Sequence, residues 1–275
     1  MRLGYSEFSF GYAFTENLIR SASVATGGAP YFPNLYDEGR LGYDVRIDFP
    51  SCPLFLQYKL PERMIRDTAD EISNRSLAGI VTPFFRMYLM RRSVSRQHEL
   101  LIDLEHDHPD SVYYATPEMN SLSLFNAAYN SADVHLQSVL FSPREIGHLP
   151  DDKQHIVAYR EDLPWAWFCS KPREVRAFRF EDVVERVRKS FEESRYQTVD
   201  DMARTTLEDV LQLVPRQLRD SELGIRQRIR ERRASLMDRP GLDEETTGVV
   251  EDLLVSRELS RIGLGAEFLI AQPSA

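Results

Sequence analysis

Three polar residues, Asp44, Gln57 and Lys59, have types and a spacing that could support chemistry on an anionic substrate. An aspartate carboxylate and a glutamine carbonyl both offer oxygen atoms, which hard divalent cations prefer as ligands. A lysine ammonium can stabilise the negative charge of a transition state. If the fold gathers the three side chains, they predict a site that holds a divalent metal and acts on an anionic group.

A β-hairpin would bring these residues together. Residues 43–49 and 54–60 each alternate between apolar and polar side chains, which is typical of strands with one buried and one polar face. The connection at residues 50–53 contains two prolines, which lack the amide donor needed to continue a ladder. The hairpin would place Asp44, or Asp48 if the register differs by four residues, beside the glutamine and the lysine. The alternative is an edge hairpin whose polar residues only face water.

Asp44, twelve intervening residues and then Gln57-x-Lys59 resemble the active-site signature of the PD-(D/E)XK nuclease superfamily. The closest resemblance is to variants in which glutamine replaces the first residue of the (D/E)XK triplet. The resemblance implies a further glutamate from a preceding helix, for which Glu16 is the main candidate and Glu7 the weaker one. It also implies that Glu16, Asp44 and Gln57 hold Mg²⁺ or Mn²⁺. Lys59 would then orient or help deprotonate the attacking water and stabilise the phosphate.

The helix that would carry Glu16 is predicted over residues 11–22. Tyr12, Glu16 and Ile19 share one stripe of this helix. The Glu16 carboxylate is therefore either a solvated flank or a site residue aimed at the hairpin.

Four arginines follow the hairpin without an acidic residue among them: Arg86, Arg91, Arg92 and Arg96. Because the chain carries a net charge of −9, this local positive charge is a candidate phosphate-contacting patch. The alternative is a solvated rim rich in arginine.

The order of elements after Lys59 also suits a nuclease core. A mixed-charge helix is predicted over residues 62–76, a strand over 82–90, a helix over 96–106 and a strand over 112–117. A crossover of this order returns a strand beside the hairpin. The expected fold is α/β, with a mixed central β-sheet and flanking helices in a restriction-endonuclease-like domain at residues 1–180.

Two other clusters in this domain have side chains that could bind a metal or stack on bases. Residues 105–108 (EHDH) stand at a predicted helix end before a proline, which favours an exposed loop over a metal site. Trp165 and Trp167 share one face of a predicted strand, where they would either stack on bases or belong to the core. Further strands are predicted at residues 134–141 and 155–159, and a loop between them.

The composition changes at residue 181 to that of a helical region, which extends to residue 275. Thr198 and Asp201 form a helix-capping pattern, and residues 216–239 hold eight arginines against four acids. This region is expected to serve assembly into a homo-oligomer, docking of a partner protein, or binding of nucleic acid.

The whole chain favours a cytoplasmic protein without a membrane partner, because no apolar run approaches the length of a membrane span. Cys52 and Cys169 fit neither a zinc spacing nor a disulfide framework. The expected function is metal-dependent hydrolysis of phosphodiester bonds, with DNA favoured over RNA. In this the chain resembles effectors of bacterial restriction or anti-phage systems. The alternative is a non-catalytic scaffold or sensor subunit that acts through assembly.

Overall fold

The computed structural model describes residues 3–21, 52–193, 196, 198–236 and 244–271. The first strand of the predicted hairpin, with Asp44 and Asp48, lies outside these residues. The helices are α1 (Glu7–Ser21), α2 (Asp70–Ser73), α3 (Gln97–Asp107), α4 (Leu122–Asn130), α5 (Pro143–Ile146), α6 (Phe180–Glu192), α7 (Val199–Leu213), α8 (Arg216–Arg219), α9 (Glu222–Leu236) and α10 (Glu244–Leu259), with a π-helical turn at Ser260–Leu264. The strands are β1 (Cys52–Tyr58), β2 (Glu62–Met64), β3 (Phe84–Leu89), β4 (Val112–Pro117), β5 (Ser138–Phe141), β6 (His155–Tyr159), β7 (Trp165–Phe168), β8 (Arg173–Arg176) and β9 (Glu267–Ala271).

The fold is α/β with a mixed sheet flanked by helices, as the sequence predicts. The described chain divides into two compact units. Unit 1 contains residues 3–21 and 56–186, and unit 2 contains residues 52–55 together with the described residues from 187 to 271. The domain boundary expected at residue 180 stays a prediction.

In unit 1, α1 begins four residues before its predicted start. The Ser6 hydroxyl accepts a hydrogen bond from the Ser9 amide at 3.0 Å, which satisfies one of the free donors of the first turn. Phe10 and Phe14, one turn apart, are fully buried. These residues form the apolar side with which α1 packs on the sheet.

Strand β1 lies between β4 and β9 in a sheet of order β5-β4-β1-β9. Its residues from Leu54 to Gln57 are all buried, so the expected division into one buried and one polar face is wrong. The expected break at Pro53 is also wrong, since β1 already includes this residue. Pro53 is the second residue of β1, and proline is tolerated at the N-terminal end of a strand.

Helix α3 and strand β4 follow the predicted order, and β4 lies beside β1. The Lys59 amide donates a hydrogen bond to the Ala115 carbonyl at 2.9 Å, which extends the contact one residue past the end of β1. Every residue of β4 is buried. The predicted strand at residues 134–141 is shorter in the structure, where only β5 is extended and pairs antiparallel with β4.

A second sheet in unit 1, of order β2-β3-β6-β7-β8, is antiparallel throughout. The helix predicted at residues 62–76 is wrong: its start forms β2 and only its end forms the short α2. Glu62 pairs with Arg86 and Met64 with Phe84, so pairing with β3 overrides the local helical preference. The single central sheet expected for residues 1–180 is therefore two sheets.

The EHDH cluster differs from the exposed loop that the sequence predicts, because it is helical up to Asp107 and only His106 in it is exposed. Glu105 is 4% exposed and His108 is fully buried at the end of α3. The Glu105 carboxylate accepts hydrogen bonds from the Ser142 hydroxyl at 2.6 Å and from the Arg144 amide at 2.8 Å. The cluster thus joins α3 to the start of α5, within the region expected to be a loop.

In unit 2, α7 and α10 enclose a small core that includes Val199, Met202 and Val249. The predicted cap is confirmed, because the Thr198 hydroxyl accepts a hydrogen bond from the Asp201 amide at 3.0 Å. The expectation of a purely helical region overlooked β9, which neighbours β1. Within the described part of the chain, no helix combines the length and apolar character needed to cross a membrane.

Candidate functional site

Gln57 lies in β1 and Lys59 one residue past its end, and both contact Gln97 at the start of α3. The Lys59 ammonium donates a hydrogen bond to Gln97 Oε1 at 3.0 Å. Gln97 Nε2 in turn donates to Gln57 Oε1 at 2.7 Å. Gln57 and Lys59 therefore meet through Gln97, whereas the predicted convergence of both with Asp44 stays a prediction, because Asp44 lies outside the described residues. Gln97 is the residue that sequence reasoning missed.

Gln57 is held in this position by burial and by its own backbone. Its side chain is 7% exposed, and its Nε2 donates to the Tyr58 carbonyl at 3.0 Å. A buried amide needs partners for both its donor and its acceptor groups, and here both are satisfied.

The first turn of α3 is fixed by His98, which is 2% exposed. Its Nε2 lies 2.9 Å from the Gly147 carbonyl and its Nδ1 lies 2.9 Å from the Tyr114 hydroxyl. Because a carbonyl can only accept, Nε2 carries the hydrogen and Nδ1 accepts from the tyrosine. Burial lowers the pKa of His98 to about 4, so the ring is neutral near pH 7. This neutral histidine sets the position from which the adjacent Gln97 reaches the strand.

Helix α1 packs closely on the opposite face of β1. Phe10 and Phe14 place their rings 5.7 and 5.6 Å from the Tyr58 ring. A Cβ at Gly11 would lie 2.6 Å from that ring, so only glycine permits this approach. The Thr15 hydroxyl completes the contact with a 2.6 Å hydrogen bond to the Tyr58 hydroxyl.

The carboxylate whose charge acts on Lys59 is that of Glu7, in the first turn of α1. Glu7 Oε2 accepts a hydrogen bond from the Leu60 amide at 3.2 Å. Burial lowers the pKa of the Lys59 ammonium below its ordinary value, and the charge of Glu7 opposes this shift. Glu7, which the sequence made the weaker of the two candidates for the site glutamate, is therefore the one whose charge acts on Lys59.

Glu16 lies in a different network. Its Oε2 accepts from Asn17 Nδ2 at 2.8 Å and lies 3.5 Å from the Arg20 guanidinium. Asn17 and Arg20 both donate to the Tyr129 carbonyl of α4, at 3.2 and 3.5 Å. Within the described chain no contact joins Glu16 to Gln57 or Lys59. Its part in metal binding stays a prediction.

A metal site at β1 depends on more than the described residues. Asp44 lies outside them, and among the residues that are described no three His, Cys, Asp or Glu side chains gather as a possible metal site. Gln57 Oε1 accepts one hydrogen bond from Gln97, and an amide oxygen has a second lone pair for a cation. The oxygen donors on this side of unit 1 are thus compatible with a hard cation only if further carboxylates join them.

The four arginines of the predicted patch fall into two groups. Arg86 is paired with Glu71 through two hydrogen bonds, one of them 2.7 Å from Nε to Oε1. Glu71 is 2% exposed, so Arg86 neutralises a buried charge and is not available to a phosphate. Arg91, Arg92 and Arg96 are exposed on the segment that leads into α3.

The two tryptophans belong to the framework of the second sheet. Trp167 packs against a core cluster that includes Ile80 and Phe84, and its Nε1 donates to the Ala78 carbonyl at 2.9 Å. Trp165 is half-buried, with Gly79 beside its ring. The core interpretation left open by the sequence therefore describes Trp167.

Comparisons of this chain with protein-family models, with curated proteins and with solved structures found no match. The geometry around Gln57, Lys59 and Gln97 is therefore what bears on function. No sequence signal marks Gln97, because it lies 40 and 38 residues from its two partners and follows no motif.

Proposed function

We propose that the chain is a metal-dependent nuclease of the PD-(D/E)XK type, with its site on the Gln57 and Lys59 face of β1. One observation carries the proposal: Gln57 and Lys59, two positions apart, point the same way from a buried strand and meet in one hydrogen-bonded group. The alternative, an edge hairpin whose polar residues only face water, would leave both side chains hydrated. Burying the Gln57 amide and partly burying the Lys59 ammonium costs free energy, and a catalytic site gives a reason to retain them.

The residues of the site would divide the work by their chemistry. Lys59 would stabilise the negative charge of a phosphate and orient the attacking water. Gln57 would offer its carbonyl oxygen. Glu7 would keep negative charge beside the lysine and so help it remain protonated.

Mg²⁺ or Mn²⁺ would be held by Gln57 together with carboxylates, for which Asp44, Asp48, Glu16 and Glu7 are the candidates. When bound, the metal would lower the pKa of a water molecule and neutralise phosphate charge. The three exposed arginines before α3 would contact the backbone of the nucleic acid, with DNA favoured over RNA.

The direct test is cutting of plasmid DNA by the full chain with Mg²⁺ or Mn²⁺, and its loss in EDTA. Lys59→Met should reduce cutting at least 100-fold, on the order expected when a charge that stabilises the transition state is removed. Asp44→Ala should do the same. Lys171→Met, at an exposed lysine of unit 1, is the matched control and should cut like the wild type.

Cutting that persists in both Lys59→Met and Asp44→Ala would place the activity elsewhere or in a contaminant. Effectors of restriction or anti-phage systems depend on an activating partner, and we propose this biological setting for the chain. The assay should therefore also be run in lysate from cells exposed to phage, with the same variants.

The second candidate function is assembly through unit 2, without catalysis. The observation that favours it is the exposure of large apolar side chains: Leu223 is 77% exposed and Ile262 is 53% exposed. Burial of these side chains against a second copy of the chain or a partner protein would remove apolar surface from water. An active Lys59-dependent nuclease that is also oligomeric would reconcile the two candidates.

A further inference from the structure

We infer that Gln97 is a positioning residue of the proposed nuclease site, which fixes the orientation of the Gln57 amide and the place of the Lys59 ammonium through one directional chain of hydrogen bonds. The inference rests on the proposed function for its catalytic meaning. Its structural content can be tested without any activity.

The chain of hydrogen bonds has a fixed direction because each end has only one chemical role. A lysine ammonium has donors and no acceptor, so the group facing Lys59 must be the oxygen of Gln97. The amino group of Gln97 then faces Gln57 and requires an oxygen there, at 2.7 Å. The amino group of Gln57 faces the Tyr58 carbonyl, which can only accept.

Reversing either amide would break this order. If Gln97 turned around, its amino group would face the ammonium and its oxygen would face the oxygen of Gln57. If Gln57 turned around, its amino group would face the amino group of Gln97, and its oxygen would face the Tyr58 carbonyl. Because Gln57 is 7% exposed, water cannot easily repair such mismatches.

The functional consequence is that an oxygen, and not an amino group, is presented on the Lys59 side of β1. Only the oxygen can take part in holding a hard cation. Glutamine at position 57 is more demanding in this respect than aspartate or glutamate, because a carboxylate offers oxygen in either orientation. A glutamine in this place therefore needs neighbours that select its orientation. The Tyr58 carbonyl accepts from its amino group, and Gln97 donates to the oxygen that faces the site.

The decisive variant is Gln97→Glu, which has nearly the same shape but no amino group. Its carboxylate can accept from Lys59 but cannot donate to Gln57, so we expect the Gln57 amide to turn and donate to residue 97. Side-chain amide NMR of the full chain labelled with ¹⁵N-glutamine would show this turn. The Gln57 amide protons should lose their NOE contacts to the Hα and backbone of Tyr58 and gain contacts to the methylene protons of residue 97.

The matched control is Gln137→Glu, at an exposed glutamine of unit 1. It should leave the Gln57 signals unchanged. If Gln57 keeps its wild-type contacts in folded Gln97→Glu, the inference is overturned, whether or not the protein cuts DNA.

A rescue experiment tests the role in the site. Mn²⁺ binding, followed by paramagnetic broadening of signals near β1, should weaken at least 10-fold in Gln97→Leu. Adding Gln57→Glu to that variant should restore Mn²⁺ binding to within about threefold of the wild type, because a carboxylate needs no orienting neighbour. Failure of this rescue in a folded double variant would contradict the positioning role.

The two experiments separate the inference from the proposed function. A Gln57 amide that turns in Gln97→Glu, together with a wild-type protein that neither binds Mn²⁺ nor cuts DNA, would support the directional chain and contradict the nuclease. Cutting that is intact in Gln97→Glu despite a turned amide would support the nuclease and contradict a role for Gln97 in it.

Discussion

Among single residues, the geometry of the proposed site depends on which polar groups are buried and which partners they have. Gln57 and Lys59 are satisfied by Gln97, and His98 is satisfied by Tyr114 and Gly147. Each of these polar groups would cost free energy if its partner were lost. The same contacts that stabilise the start of α3 thus also hold the proposed site in shape.

His98 makes stability depend on pH, with a direction that can be worked out. Its pKa is about 4 in the folded protein and 6.5 in the unfolded chain, so the unfolded state binds more protons between these values. Stability is therefore fully present above pH 6.5 and is lost as the pH falls towards 4. The loss due to His98 should approach about 3 kcal/mol.

Urea unfolding at pH 7 and pH 4.5 would measure this effect. His98→Gln can make the same two hydrogen bonds without titrating, so its stability should fall less between the two pH values than that of the wild type. His106→Gln, at an exposed histidine, serves as the control and should behave like the wild type. Equal pH dependence in wild type and His98→Gln would mean that His98 is protonated as readily when folded as when unfolded.

Among the secondary-structure elements, the stretch from β3 to α3 carries two kinds of arginine. One is paired with a buried carboxylate, and three are exposed. Arg86 on β3 faces the buried Glu71 of α2, whereas Arg91, Arg92 and Arg96 lie in the exposed connection to α3. Sequence proximity made these four residues look alike. The pairing of β2 with β3 beside α2 makes them different.

Substitution of these arginines should therefore give two distinct results. Changing Arg91, Arg92 and Arg96 to Gln should alter stability by less than about 0.5 kcal/mol, because all three are exposed. It should weaken binding of DNA and make the slope of log affinity against log salt less steep by up to about 3. Filter binding at several salt concentrations, with urea unfolding, would measure both.

Arg86→Ala is the contrasting variant. It should cost about 3–5 kcal/mol of unfolding free energy, because it leaves the Glu71 carboxylate buried without its partner. A stable Arg86→Ala protein with reduced salt dependence of DNA binding would show instead that Arg86 contacts phosphate.

In the molecule as a whole, acidic residues of the chain neutralise part of the arginine-rich tail at residues 216–239. Arg226 contacts Glu222 at 2.7 Å, Glu251 at 3.1 Å and Asp252 at 2.7 Å, and Arg230 also pairs with Glu251 at 2.8 Å. Burial opposes ionisation of Glu251, but the two arginines outweigh it and its pKa is lowered. These arginines therefore join α9 to α10 within unit 2.

The tail is consequently expected to act in assembly and not to provide the main nucleic-acid-binding surface. Leu223→Asp and Ile262→Asp should each lower the mass measured by light scattering, because they place a charge on an exposed apolar position. Reversal of the exposed Arg216, Arg219 and Arg228 to Glu should leave binding of a short DNA duplex unchanged. An unchanged mass in the apolar variants, with DNA binding lost on charge reversal, would contradict this expectation.

Features that depend on local geometry could be predicted from the amino-acid sequence. Side chains two positions apart on a strand share a face, so the alignment of Gln57 with Lys59 followed from the spacing alone. The apolar periodicity of α3, the compact β4 and the Thr198 cap are likewise properties of a few neighbouring residues, and the structure has each of them. The mixed α/β class follows from the order of such elements.

Contacts between residues far apart in the chain could be read only from the folded structure. Gln97 reaches Gln57 and Lys59 across about forty residues of chain, and no local pattern marks such a contact. Pairing with β3 likewise turned the start of the predicted helix at residues 62–76 into β2, and the burial of Glu71 assigned Arg86 to structure. Glu7 and Glu16 lie nine residues apart on α1, which is two and a half turns, so they face opposite sides of the helix. Only the packing of α1 against β1 and α4 decided that Glu7 acts on Lys59 while Glu16 joins the contacts to α4.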